Sequence, residues 1–220
     1  MIQWWKITGI ILVGYALTWG LITPVPDKAI LEQSIRNLFY HVPMWFGMIL
    51  LLAGSLVKAI AFLSKGKMED DIQSAALAQV GVLFGMMGIF TGMIWAKNTW
   101  GAYWTADPKL NSAAIGMLMY FAYLVLRSSI EDAEKKARVS AVYNIFCFPI
   151  FIVLIFVLPR LTDSLHPGNG GNPGFNSYDL DAKLRLIFYP AVIGWTLIGY
   201  WIANLQIRIK KIELKQLNND

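Results

Sequence analysis

The chain has 220 residues, 56% of them hydrophobic and only 15% charged, where ordinary soluble domains carry about 25% charge. That composition excludes a soluble globular fold, because so few polar side chains cannot cover the apolar surface, and it suits a chain whose solvent is lipid. The net charge of +5 comes from basic residues scattered among polar connections, which excludes a continuous nucleic-acid-binding patch; the single Cys147 excludes a disulfide, a CxxC redox pair and a CxxCH haem attachment site.

The first apolar run, Ile7 to Ile22, follows Trp4, Trp5 and Lys6 and ends in Thr23-Pro24-Val25-Pro26. It has no small-x-small cleavage site and therefore reads as a retained helix, not a signal peptide. Further spans of about 20 mostly apolar residues are predicted from Pro43 to Leu63, Ala75 to Ala96, Ser112 to Arg127, Ala141 to Leu158, and Leu184 to Gln206. In the third, Gly81, Gly85, Gly88 and Gly92 recur at helical spacing and predict a face where another helix approaches closely. Pro149 and Pro190 fall inside the fifth and sixth spans, where a kink is tolerated because neighbouring groups satisfy the freed backbone.

Between the third and fourth spans the sequence runs Trp95-Ala96-Lys97-Asn98-Thr99-Trp100-Gly101-Ala102-Tyr103-Trp104-Thr105-Ala106-Asp107-Pro108-Lys109. A helix here places Trp100, Trp104 and Asp107 at i, i+4 and i+7, with Tyr103 beside them. Asp107 followed by Pro108 also suits the N-cap and first turn of the fourth span. After that span, Glu131/Lys135, Asp132/Lys136 and Glu134/Arg138 stand at i,i+4 spacing with acid before base, predicting a solvated helical extension. The long connection from Pro159 to Lys183 holds Leu165-His166-Pro167-Gly168 and reads as a flexible loop. Its glycines lack the Gly-Lys-Ser/Thr of a phosphate loop.

Orientation follows from Lys and Arg, which are enriched in cytoplasmic connections. Twelve fall on the side that carries both termini, seven on the other. The expectation is a single all-α membrane domain over residues 1–220 with six transmembrane helices and both termini cytoplasmic. Its features are a Trp-rich interfacial helix in the second outer loop (95–109), a flexible outer loop (159–183) and a cytoplasmic tail (207–220).

Both histidines of the chain, His41 and His166, fall on the outer face. Taken singly, histidines there are ordinary polar helix ends and the tryptophans an interfacial aromatic belt. Taken together, they are the parts a flat apolar ligand with a metal centre requires. Aromatic rings stack on a macrocycle, imidazoles ligate haem iron, and Arg36, Lys97, Lys109, Arg160, Lys183 and Arg185 are candidates to neutralise propionates. The spacing permits a bis-histidine site without demanding one.

Arg36-Asn37-Leu38-Phe39-Tyr40-His41-Val42-Pro43, Thr91-Gly92 and the W-G-x-x-W-x-x-D pattern of Trp100, Gly101, Trp104 and Asp107 carry a resemblance over nearly the whole chain. It resembles the haem-handling membrane proteins of cytochrome c maturation, most closely the CcmC (haem exporter protein C) family with its WWD motif. The resemblance implies haem b held non-covalently at the periplasmic face of the bacterial inner membrane, with His41 and His166 as axial ligands and Trp95, Trp100, Tyr103, Trp104 and Asp107 around it. It also implies a periplasmic haem chaperone like CcmE and an ABC-type pair like CcmA and CcmB as partners. Where the family has a further tryptophan before the aspartate this chain has Ala106, so that wall is missing or is supplied by Tyr103 or Trp95.

The function expected is a non-enzymatic haem-binding subunit that presents haem to the chaperone. Its rivals are a transporter of haem or another solute through the bundle, disfavoured because the spans are nearly free of charged groups, and a scaffold that recruits an ABC ATPase. A haem ligase is a weaker option for so short a chain.

Overall fold

The computed structural model describes residues 3–26, 32–166, 180 and 182–217, and every regular element among them is helical. The α-helices are α1 (Trp4–Ile22), α2 (His41–Lys65), α3 (Met68–Trp100), α4 (Pro108–Ser128), α5 (Ala133–Ile152) and α6 (Ala182–Leu217), with a 3-10 stretch, Glu32–Phe39, leading into α2. Six helical segments are long and apolar enough to cross a bilayer, as the hydropathy pattern predicts. The chain is thus a polytopic membrane protein.

Two helices outrun their apolar segments. α3 begins at Met68, where Glu69, Asp70 and Asp71 fill its first turn and meet the positive end of the helix dipole. The far end of α6 reaches Leu217 through Lys and Glu side chains with strong helix propensity, and Lys211 pairs with Glu69 across to α3. The charged run before the fifth span starts later than its periodicity suggests. Asp132 caps α5 by accepting the Lys135 N–H at 2.7 Å, and of the three expected pairs the structure gives Glu134–Arg138, exposed and 3.2 Å apart. Pro149 lies within α5, which continues as a wide π turn over Val153–Val157 and a 3-10 turn, Leu158–Arg160.

α2 packs most extensively on α3, and α1 on α6. The glycine stripe of α3 explains the first pairing, since large α2 side chains lie where its Cβ atoms would be. A Cβ on Gly81 would sit 2.8 Å from Leu52, on Gly85 2.6 Å from Met48, on Gly88 2.9 Å from Trp45 and on Gly92 2.8 Å from His41. These α2 residues recur at helical spacing along one face, so the stripe that brings the helices together also fixes His41 against α3.

Between the middle of the bundle and the end remote from the histidines lies a cluster of buried polar groups that counting charges does not foresee. Ser55 on α2 donates to the Ser74 carbonyl on α3 at 2.7 Å and accepts from the Asn144 amide on α5 at 2.8 Å, while Tyr120 on α4 donates to Asn144 Oδ1 at 3.4 Å. Further along, Arg127 and Asp71 form a bidentate pair at 2.8 and 2.6 Å, and Lys58 pairs with Asp70 at 3.1 Å. Where no water competes, such bonds tie helices together.

Candidate functional site

His41 is the first residue of α2. Its Nδ1 lies 3.1 Å from Thr91 Oγ1, and the Thr91 hydroxyl donates to carbonyls of its own helix, Met87 at 2.8 Å and Gly88 at 3.1 Å. Since the threonine proton is committed there, its oxygen accepts and His41 Nδ1 donates. The lone pair of the neutral ring is therefore on Nε2.

Beyond Trp100 the expected interfacial helix does not form. Gly101, at φ 82°, ends α3 with its N–H bonded to the Lys97 carbonyl, and Lys97 Nζ donates to the Gly101 carbonyl at 2.8 Å. A glycine in this left-handed conformation is the usual helix stop, and Asp107 with Pro108 restarts the chain as α4. Trp95 and Trp100 remain on the helix, their ring centroids 5.0 Å apart and nearly perpendicular. Both lean on the His166 imidazole, at 5.9 Å and 4.8 Å. Past the stop, Tyr103 and Trp104 are exposed: Lys97 Nζ lies over the Tyr103 ring at 5.7 Å, and the Trp104 indole N–H donates to Asn111 at 3.2 Å. Of the two aromatics weighed for the place of Ala106, it is Trp95 that touches the second histidine.

Asp107 binds more partners than a helix cap needs. Oδ1 accepts the Lys109 and Leu110 N–H groups at 2.9 and 3.2 Å, and His166 Nδ1 stands 3.0 Å from the same oxygen. Oδ2 accepts the Leu165 N–H at 2.7 Å and the Ser164 hydroxyl at 2.9 Å. The Asp107 side chain is wholly buried and that of His166 is 14% exposed. Burial opposes the Asp107 charge, but the donors from Leu165, Ser164, His166 and Leu110 outweigh it and hold the carboxyl below its usual range. His166 is pushed down to about 4, by burial first and then by the Lys109 charge, against the pull of Asp107. The pair is thus a carboxylate and a neutral imidazole that donates from Nδ1, which again leaves Nε2 with the lone pair.

These shifts give a pH dependence. In the unfolded chain His166 takes up a proton near its ordinary 6.5, whereas in the folded protein it resists until about 4, so stability falls as pH drops through that window, by roughly 3 kcal/mol at full extent. Asp107, depressed in the fold, contributes stability above its ordinary 3.8 that is lost as pH falls through its lower folded value. Both act in one direction. Thermal melts of the detergent-solubilised protein are expected to be level near pH 7 to 8 and to shift downward below about pH 6; a melting temperature that rises on acidification contradicts this pairing.

The predicted cations separate into groups. Lys109 lies within electrostatic range of Asp107, Arg160 and both histidines, and the Arg160 guanidinium sits over the Phe156 ring at 5.9 Å. Arg36 instead caps the end of α1, donating to the Gly20 and Thr23 carbonyls at 2.9 and 2.7 Å. Arg185 donates to the Leu180 carbonyl at 2.7 Å, and Lys183 is exposed on the first turn of α6. The residues brought together are therefore His41, His166, Trp95, Trp100, Asp107, Lys109 and Arg160. Ser164 and Thr91 join them without having been foreseen as hydrogen-bond partners; Thr91 stood in a recognised motif, while nothing in the sequence marked Ser164. The glycine-rich stretch after His166 lies outside the described residues. Two imidazoles within electrostatic range of each other and of Lys109, each with Nδ1 against a protein partner and with indole rings on His166, are a donor set that fits an iron porphyrin.

The sequence matches the family model described as Heme exporter protein C over residues 1–218. Relatives bearing that name include those of Paracoccus denitrificans (strain Pd 1222), 29% identical over 196 residues covering 88% of this chain and 78% of the relative, and Escherichia coli (strain K12), 24% identical over 212 residues covering 96% and 82%. For the relative from Bradyrhizobium diazoefficiens (strain USDA 110), 26% identity extends over 146 residues, 66% of this chain and 54% of that protein. The family match takes in all six helices, both histidines and the tryptophan-aspartate segment between them, and the chain belongs to the Heme exporter protein C family.

Proposed function

We propose that this chain is a haem-binding membrane subunit of cytochrome c maturation. It holds haem b between His41 and His166 at the periplasmic face of the bacterial inner membrane and presents it to a periplasmic haem chaperone like CcmE, alongside an ABC-type pair like CcmA and CcmB. The observation that carries this reading is the meeting of two neutral imidazoles, one from the start of α2 and one from the connection before α6, with both Nδ1 atoms occupied by protein acceptors.

If bound here, haem would bring a flat apolar ring, an iron that imidazoles can ligate and two carboxylates. The protein's part is binding and orientation, with no covalent bond made or broken. His41 and His166 would hold the iron through Nε2, Trp95 and Trp100 pack on the His166 ring and would keep water from it, and Lys109 and Arg160 would meet the carboxylates. Transport through the bundle is the weaker reading, because the polar cluster that joins four of the spans, Ser55, Ser74, Asn144 and Tyr120, is buried and bonded within itself.

Titration of the purified full-length protein with hemin tests the proposal. The expected result is saturation at one hemin per chain with the sharpened Soret band of a low-spin, bis-imidazole iron. A spectrum that remains that of free hemin in the same detergent overturns it.

A further inference from the structure

The two histidines are held in very different ways. His41 belongs to a helix, and its ring lies against the glycine stripe of α3, where a Cβ on Gly92 would come within 2.8 Å of it; moving it means moving α2. His166 lies on a connection. Of the hydrogen bonds that tie residues 164–166 to the helices, three converge on the single Asp107 carboxylate, from Ser164 Oγ, the Leu165 N–H and His166 Nδ1. Ser164 Oγ in turn accepts the His166 N–H at 3.2 Å. The carboxylate is itself fixed by the first turn of α4 through the Lys109 and Leu110 N–H groups.

Resting on the haem-holding reading, we infer that Asp107 is a positioning residue that latches the His166 segment to α4, so that His41 is the fixed ligand and His166 the releasable one. The carboxylate sets the proton of His166 on Nδ1, aims Nε2 away from α4, and makes the imidazole a more basic donor. Because the three bonds share one acceptor group, they are lost together: once the segment lifts from Asp107, what holds the ring among the described residues is its packing on Trp95 and Trp100. The aspartate of the tryptophan-rich segment thus serves the ligand, not the stacking platform.

The test compares full-length wild type with Asp107→Asn and Ser164→Ala, each loaded with hemin, by the rate of hemin loss to excess apomyoglobin and by the reduction midpoint potential. Asparagine caps a helix as well as aspartate does, so Asp107→Asn spares α4 while replacing one acceptor oxygen by a donor. It is expected to speed hemin loss about 10- to 100-fold, the range seen when outer partners of metal-bound histidines are removed, and to raise the midpoint potential as the ligand becomes less basic. Ser164→Ala, which leaves the cap untouched, is expected to speed loss severalfold, and it decides the matter should Asp107→Asn fail to fold. Thr91→Val, which takes the acceptor from His41, is expected to change the rate less than Asp107→Asn, because helix packing still holds that ring. Loss rates and potentials equal to wild type in both latch variants overturn the latch while leaving haem binding intact. A wild type that takes up no hemin overturns the haem-holding reading and this inference with it.

Discussion

Replacing His41 with alanine is expected to convert low-spin bound hemin into a high-spin species held through His166 alone and to weaken binding by at least about 100-fold, more than the loss of an outer partner costs. The change deletes the proposed ligand that is held by a helix, and the next large ring on that face, Trp45, is 6.3 Å away and has no lone pair to offer. The fold is expected to survive, because His41 is the first residue of α2 and alanine keeps the helix. Absorption spectra and equilibrium titration of His41→Ala beside wild type make the check. An unchanged Soret band and unchanged affinity mean that the ring does not touch iron.

At the other end of the molecule, Asp71→Ala is expected to cost stability without altering the spectrum of bound hemin. The Arg127–Asp71 pair is bidentate, with side-chain exposures of 16% and 6%, and removing one partner leaves a charge in a place that water reaches poorly. Breaking such pairs costs about 3–5 kcal/mol. The double variant Asp71→Leu with Arg127→Leu is expected to recover most of that loss, because the penalty lies in the orphaned guanidinium. Unfolding titrations in mixed detergent micelles measure both. A single variant as stable as wild type removes the pair from the forces that hold the bundle.

The six spans are legible from hydropathy because a bilayer leaves so few options: a long apolar run with no charge to hide can only cross. Glycine spacing in α3 likewise signals close packing before any coordinates are known. That His41, Trp95, Trp100, Asp107 and His166 share one face also follows, since alternating helices return those connections to it; that their side chains meet does not. What sequence periodicity misses are contacts across long separations. The bonds from Ser164, Leu165 and His166 to Asp107 span 57 to 59 residues, and no local pattern announces them. Gly101 overrides the i, i+4, i+7 arrangement of Trp100, Trp104 and Asp107 because one left-handed residue ends a helix whatever the side-chain pattern beyond it. Arg36 reads as a free cation in the sequence, yet in the fold it is consumed by the open carbonyls at the end of α1. Ser55, Tyr120 and Asn144 pass as ordinary members of apolar spans, and Ser74 as a residue just before one, until four helices set them face to face.

That buried polar cluster divides the bundle into a stiff part and a compliant one. Hydrogen bonds and ion pairs rivet α2, α3, α4 and α5 at mid-depth and below, whereas the described residues 164–166 meet the helices at the other end chiefly through one shared carboxylate, with His41 held there by Thr91. If haem rests there as proposed, its exchange would need only a local parting of the rim, with the lower half unmoved.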